Sequence, residues 1–139
     1  MPRPGRLPPA EMALVRTHPA VGRRILEGLE FPWPIQAMVG SHHERLDGSG
    51  YPDGLRGEEL SVAVRIVCVS DVLEAMASHR PYRPGLGVRE ALAELTSGSG
   101  ILYDAEVVAA VAALAGSGQV DFLEESAIGG VEMFERRVG

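Results

Sequence analysis

The chain has 139 residues, 45% apolar and 23% charged, enough hydrophobic content for one compact domain. Its 13 basic residues are all arginine, set against 19 acids, and the resulting net charge of −6 argues against binding a nucleic-acid polymer, which needs basic surface to release counterions. No run reaches the roughly 18 apolar residues of a membrane span, the start Met1-Pro2-Arg3-Pro4-Gly5-Arg6 lacks the apolar stretch of a signal peptide, and the lone Cys68 excludes an internal disulfide, so a cytoplasmic protein without membrane contact is expected.

Charge is distributed unevenly: residues 1–24 carry five Arg and one Glu, whereas residues 104–139 carry seven acids and two Arg. The absence of lysine excludes any mechanism that needs one from this chain and favours the forked contacts that guanidinium groups make to phosphates.

Pro8-Pro9 leads into a helical stretch from Ala10 to Arg16, with Pro9 suited to a first-turn position, and Pro19 breaks or restarts the helix. His18 lies at that break. Val21, Ile25, Leu26 and Leu29 then recur at helical spacing, and extending the stripe backward through Leu14 predicts that His18 points inward.

Phe31-Pro32-Trp33-Pro34 reads as a rigid connection, after which Ile35, Met38, Val39 and His42 again share one helical face. Residues 44–60 are rich in glycine and charge without helical or strand periodicity, which predicts one long surface loop. Ser61 is expected to cap a central helix from Val62 to about Ser78, apolar nearly all round.

Val88 to Ser97 has the stripe of an amphipathic helix stopped by Gly98, and Asp104 is expected to cap a short helix from Ala105 to Ala115. The whole reads as an all-α bundle of five to six helices over residues 1–115. Residues 116–139 are expected to be an acidic tail, mobile or weakly docked.

A transition-metal site needs neutral imidazoles and carboxylates converging from different elements. His18, His42, His43 and Asp71 meet that need from three predicted helices. Taken singly, each has a plainer reading: a hydrogen-bonded core histidine for His18, a polar helix terminus for His42 and His43. Asp71 is harder to set aside, because a carboxylate in an apolar helix is costly to bury without a positive partner. Neighbouring residues diverge by about 100° on a regular helix, so His42 and His43 can both ligate only near a helix end.

The loop Asp47-Gly48-Ser49-Gly50-Tyr51-Pro52-Asp53-Gly54 offers close backbone approach and an aromatic ring that can stack on a base, although glycine content alone also suits a plain spacer. Arg80 and Arg83, flanking Pro81-Tyr82, can together hold a phosphodiester or can be a solvated turn.

His42-His43-Glu44-Arg45, Asp47-Gly48-Ser49-Gly50-Tyr51-Pro52 and Arg80-Pro81-Tyr82-Arg83 follow one another in an order that resembles the HD-GYP family, bacterial metal-dependent phosphodiesterases that cleave cyclic di-GMP. The resemblance runs from about Gly5 to Leu114 and covers the C-terminal part of such a domain. It implies an HD-type helical bundle around a centre of two or three divalent metals, commonly Fe or Mn. It places metal ligation on His18, His42, His43 and Asp71, and substrate contact on Tyr51, Arg80 and Arg83. A cyclic dinucleotide is the implied partner, with a sensory or receiver domain attached in a longer protein.

In that family a His-Asp pair and a lysine precede the equivalent of Pro4-Gly5-Arg6-Leu7, and here they would lie upstream of Met1, so no catalytic residue can be assigned and impaired activity is expected of the chain as written. An inactive regulatory module that binds a cyclic dinucleotide or a partner protein is the alternative. Smaller departures are Glu74, where the family usually has Asp, and His79, where Asp is common.

Overall fold

A computed structural model describes residues 7–78 and 86–121. The described residues form six α-helices: α1 Pro9–Val15, α2 His18–Ile25, α3 Ile35–Ser41, α4 Val62–Ala77, α5 Val88–Ser97 and α6 Ala105–Gly116. None is long and apolar enough to cross a membrane.

Local chemistry sets the boundaries. Pro9 and Pro19 stand in the first turns of α1 and α2, where a missing N–H costs nothing. The Ser61 hydroxyl accepts from the Val64 N–H, and the Asp104 carboxylate accepts from the N–H groups of Glu106 and Val107, as the sequence leads one to expect of N-caps. Gly87, with φ of 94°, turns the chain into α5 in a conformation that side-chain-bearing residues avoid.

The core lies between α4, α5 and α6. Val69, Leu73 and Ala77 of α4 meet Val88, Ala91 and Leu95 of α5 and Val108 of α6, with Tyr103 filling the corner. Truncating the fully buried Leu95 to alanine is a change of the kind that costs about 2–5 kcal/mol. A second cluster, Leu60, Val64 and Cys68, sits at the N-terminal end of α4 beneath Leu46 and Leu55. Helix α3 packs on α4 and carries α2 on its other side. The α2–α3 contact is close: a Cβ placed on Gly22 would come 2.7 Å from Val39 Cγ1.

Three expectations need correction. Helix α4 is not enclosed all round, since Val62 is 65% exposed and Ile66 46% exposed while the opposite face carries the core. The stripe through Leu14 of α1 and through Val21, Ile25 and Leu29 faces solvent, Leu14 and Ile25 each at 72% exposure, and α3 is the main helix packed on α2 among the described residues. Residues 44–60 are more ordered than a plain surface loop, with an antiparallel bridge between Asp47 and Arg56 and a 3-10 turn over Gly57–Glu59. Beyond α6, Val120 is buried against the main core, and the acidic segment from residue 122 onward lies outside the described residues.

Candidate metal centre

His18 begins α2, and His42 follows the last residue of α3 as its cap, with His43 next. Placing the histidine pair where α3 ends releases it from the helical divergence of neighbouring side chains. Potential ligand atoms of His18, His42 and His43 all lie within 4.8 Å of one another. The overall exposure of His18 corrects the expected inward stripe, yet its ring turns toward the pair, with ring centroids 5.1 Å from His42 and 5.0 Å from His43.

Hydrogen bonding decides which nitrogens are presented. His18 Nδ1 lies 2.7 Å from the Val15 carbonyl oxygen, and His42 Nδ1 lies 2.7 Å from the Val39 carbonyl oxygen. A carbonyl only accepts, so both Nδ1 atoms carry hydrogen and donate. Both Nε2 atoms therefore have lone pairs to offer when the rings are neutral, and they face each other at 3.0 Å. Two lone pairs at that distance repel unless a proton or a cation is shared between them. The donor chemistry fits a metal ion: neutral imidazoles, each oriented by a backbone acceptor through its other nitrogen.

His43 completes the group. Burial pushes its imidazole down to about 4, the nearby His42 adds to the effect, and Asp71 opposes it, so His43 is neutral at physiological pH. The Asp71 carboxylate, on the half-exposed flank of α4, comes within 3.7 Å of His43 Nδ1. That is beyond hydrogen-bond length but within electrostatic reach. Asp71 thus borders the three imidazoles through His43 rather than belonging to their tight set.

The loop joins this centre directly. The Tyr51 ring stacks on His43 with centroids 4.8 Å apart and planes inclined by 22°, and the Tyr51 N–H donates to the His43 carbonyl oxygen at 3.2 Å. Arg16 places its guanidinium carbon 5.2 Å from the centre of the same tyrosine ring. Farther along, Arg23 of α2 holds Asp53 at 3.1 Å and ties the loop back to the helix. Arg80 and Arg83, expected on the substrate side, lie outside the described residues, as does His79.

Glu44 is the structural residue that pattern reading missed. It is fully buried, and its two carboxylate oxygens accept from the N–H groups of Asp53 at 2.7 Å and Leu55 at 3.1 Å. The carboxylate thereby folds the loop over the end of α3 and fixes Tyr51 beside His43. A carboxylate directly after two candidate ligands was the available signal, but in a glycine-rich, charged segment it reads as surface.

Cys68 has no part in the centre. Its thiol is buried, pushed up to about 11 chiefly by desolvation, and donates to the Ser41 carbonyl oxygen at 3.4 Å.

The family model for the HD domain matches residues 2–107. The chain therefore belongs to the HD domain family. Among curated proteins it is 43% identical over 110 residues to a cyclic di-GMP phosphodiesterase of Thermotoga maritima, covering 78% of this chain and 30% of the relative. It is 41% identical over 111 residues to the cyclic di-GMP phosphodiesterase response regulator RpfG of Xanthomonas campestris, covering 78% of this chain and 29% of the relative. It is 38% identical over 109 residues to the 3'3'-cGAMP-specific phosphodiesterase 3 of Vibrio cholerae, covering 78% and 24%. The chain thus spans less than a third of the length of these relatives, and the HD-GYP resemblance of its motifs is borne out.

Proposed function

We propose that this chain carries part of a metal-dependent phosphodiesterase centre that hydrolyses a cyclic dinucleotide, cyclic di-GMP in the first instance. The observation that carries the reading is the opposed pair of Nε2 atoms on His18 and His42, 3.0 Å apart with both Nδ1 atoms committed to carbonyls, an arrangement relieved by a shared proton or, in this reading, by a metal cation. The names of the relatives supply the substrate class: cyclic di-GMP for two of those described, 3'3'-cGAMP for another.

In this reading His18, His42 and His43 hold a divalent metal, Fe or Mn, with Asp71 as the carboxylate beside them. When bound, such a metal supplies Lewis acidity and a water of lowered pKa for attack at phosphorus. Tyr51, Arg80 and Arg83 take the substrate side. A sensory or receiver domain is the partner expected within a longer protein.

The test is incubation of the Mn-loaded protein with cyclic di-GMP and, in parallel, 3'3'-cGAMP, followed by chromatography. Linear pGpG or GMP should form from cyclic di-GMP, at the reduced rate expected of a partial centre, and should be lost on chelation and in His42→Ala. Both dinucleotides remaining intact with metal bound at the three histidines would overturn the proposal.

A further inference from the structure

Arginines near the imidazole cluster are mostly committed. Arg23 pairs with Asp53 at 3.1 Å, and Arg45 donates to the Glu44 carbonyl at 2.8 Å while lying 5.3 Å over the Tyr103 ring. Arg16 differs. It is exposed, caps the C-terminus of α1, and has no carboxylate within ion-pair distance among the described residues.

Its position is nevertheless set. The Thr17 hydroxyl donates to the Leu14 carbonyl at 2.7 Å and His18 Nδ1 donates to the Val15 carbonyl, so the backbone on either side of residue 16 is pinned to the end of α1. The guanidinium rests 5.2 Å from the centre of the Tyr51 ring, which itself stacks on His43. A cation without an ion-pair partner among the described residues is thus held by an aromatic face at the lip of the three-imidazole cluster, with its N–H donors open to solvent and to an incoming anion.

We propose that Arg16 binds a phosphate of the cyclic dinucleotide, held in place by Tyr51 so that an anion at the three histidines lies within its reach. This rests on the phosphodiesterase reading and adds a substrate contact that neither the glycine-tyrosine loop nor the arginine pair beyond α4 provides. Tyr51, already placed on the substrate side, then also supports His43 and carries Arg16.

The experiment measures binding of fluorescently labelled cyclic di-GMP to the Mn-loaded full chain by anisotropy, alongside hydrolysis, Mn affinity and the melting curve, for wild type, Arg16→Ala and Arg16→Lys. Loss of one charge-assisted contact should weaken binding by about tenfold in Arg16→Ala. Arg16→Lys should recover part of that loss, and Mn affinity and melting should stay at wild-type values. Dinucleotide binding by Arg16→Ala equal to wild type would overturn the assignment while leaving the phosphodiesterase reading intact if wild type still hydrolyses. A parallel fall in Mn affinity or melting temperature would make Arg16 a structural residue and also overturn it. Wild type that neither binds nor cleaves the dinucleotide would remove both proposals together.

Discussion

His18 and His42 meet nitrogen to nitrogen, Nε2 to Nε2 at 3.0 Å, although they stand 24 residues apart in the chain. The Val15 and Val39 carbonyls dictate this by taking the Nδ1 hydrogens. Long-range proton–nitrogen NMR on Zn-loaded protein should therefore find both rings in the Nδ1–H form with Nε2 shifted by the metal. Rings carrying hydrogen on Nε2 with zinc bound would show that the two carbonyls do not control the tautomer.

Glu44 organises the loop from inside, with the N–H groups of Asp53 and Leu55 both resting on its carboxylate. Glu44→Ala leaves two donors without an acceptor and should cost about 2–4 kcal/mol in urea unfolding. Glu44→Gln keeps the shape and one acceptor oxygen, and should cost distinctly less. Equal stability of wild type and Glu44→Ala would mean that the loop is held by other contacts.

Gly50 lies against the backbone of the residues just after the histidine pair. A Cβ there would sit 2.5 Å from both Arg45 N and Glu44 Cα, and neither atom can swing aside as a side chain could. Gly50→Ala should destabilise the protein by about 1–3 kcal/mol, the usual range for overpacking. It should also lift Tyr51 from His43, which the ring-current shift of the His43 protons in NMR spectra would report.

Asp104 caps α6 and pairs with Arg65 at 3.1 Å, while Arg65 also donates to the carbonyls of Leu60 and Gly57. Backbone N–H donors at the helix start, with Arg65, hold the Asp104 carboxyl below its ordinary value of 3.8 despite partial desolvation. A depressed folded-state pKa means stability that is fully present above the ordinary value and lost as pH falls through the lower folded one. Asp104→Asn retains the cap but not the charge. Its acid-unfolding curve should be flatter than wild type below pH 3.8, with a smaller difference at neutral pH than Asp104→Ala shows.

Much of this architecture is legible in one sequence because its signals are local. Ser61 and Asp104 announce helix starts by hydroxyl and carboxylate acceptors, and the α5 stripe from Val88 to Leu95 repeats at helical spacing. The convergence of His18 with His42 and His43 could be anticipated because each lies at a helix break, where side chains are freed from helical geometry. Exposure could not be read: Leu14, Ile25, Val62 and Ile66 have the periodicity of buried faces, and periodicity reports that a face is apolar without reporting what covers it. Glu44 escaped for the converse reason, since a buried carboxylate satisfied by two distant N–H groups has no sequence pattern of its own.

Calorimetric titration of Mn(II) into the metal-free protein bears most directly on the convergence of the three imidazoles. One saturable high-affinity site is expected in wild type. Alanine at His18, His42 or His43 should each weaken it by more than the roughly 10–100-fold that loss of a supporting residue costs. Unchanged Mn affinity in all three variants, with the fold intact by circular dichroism, would contradict a metal centre at these histidines.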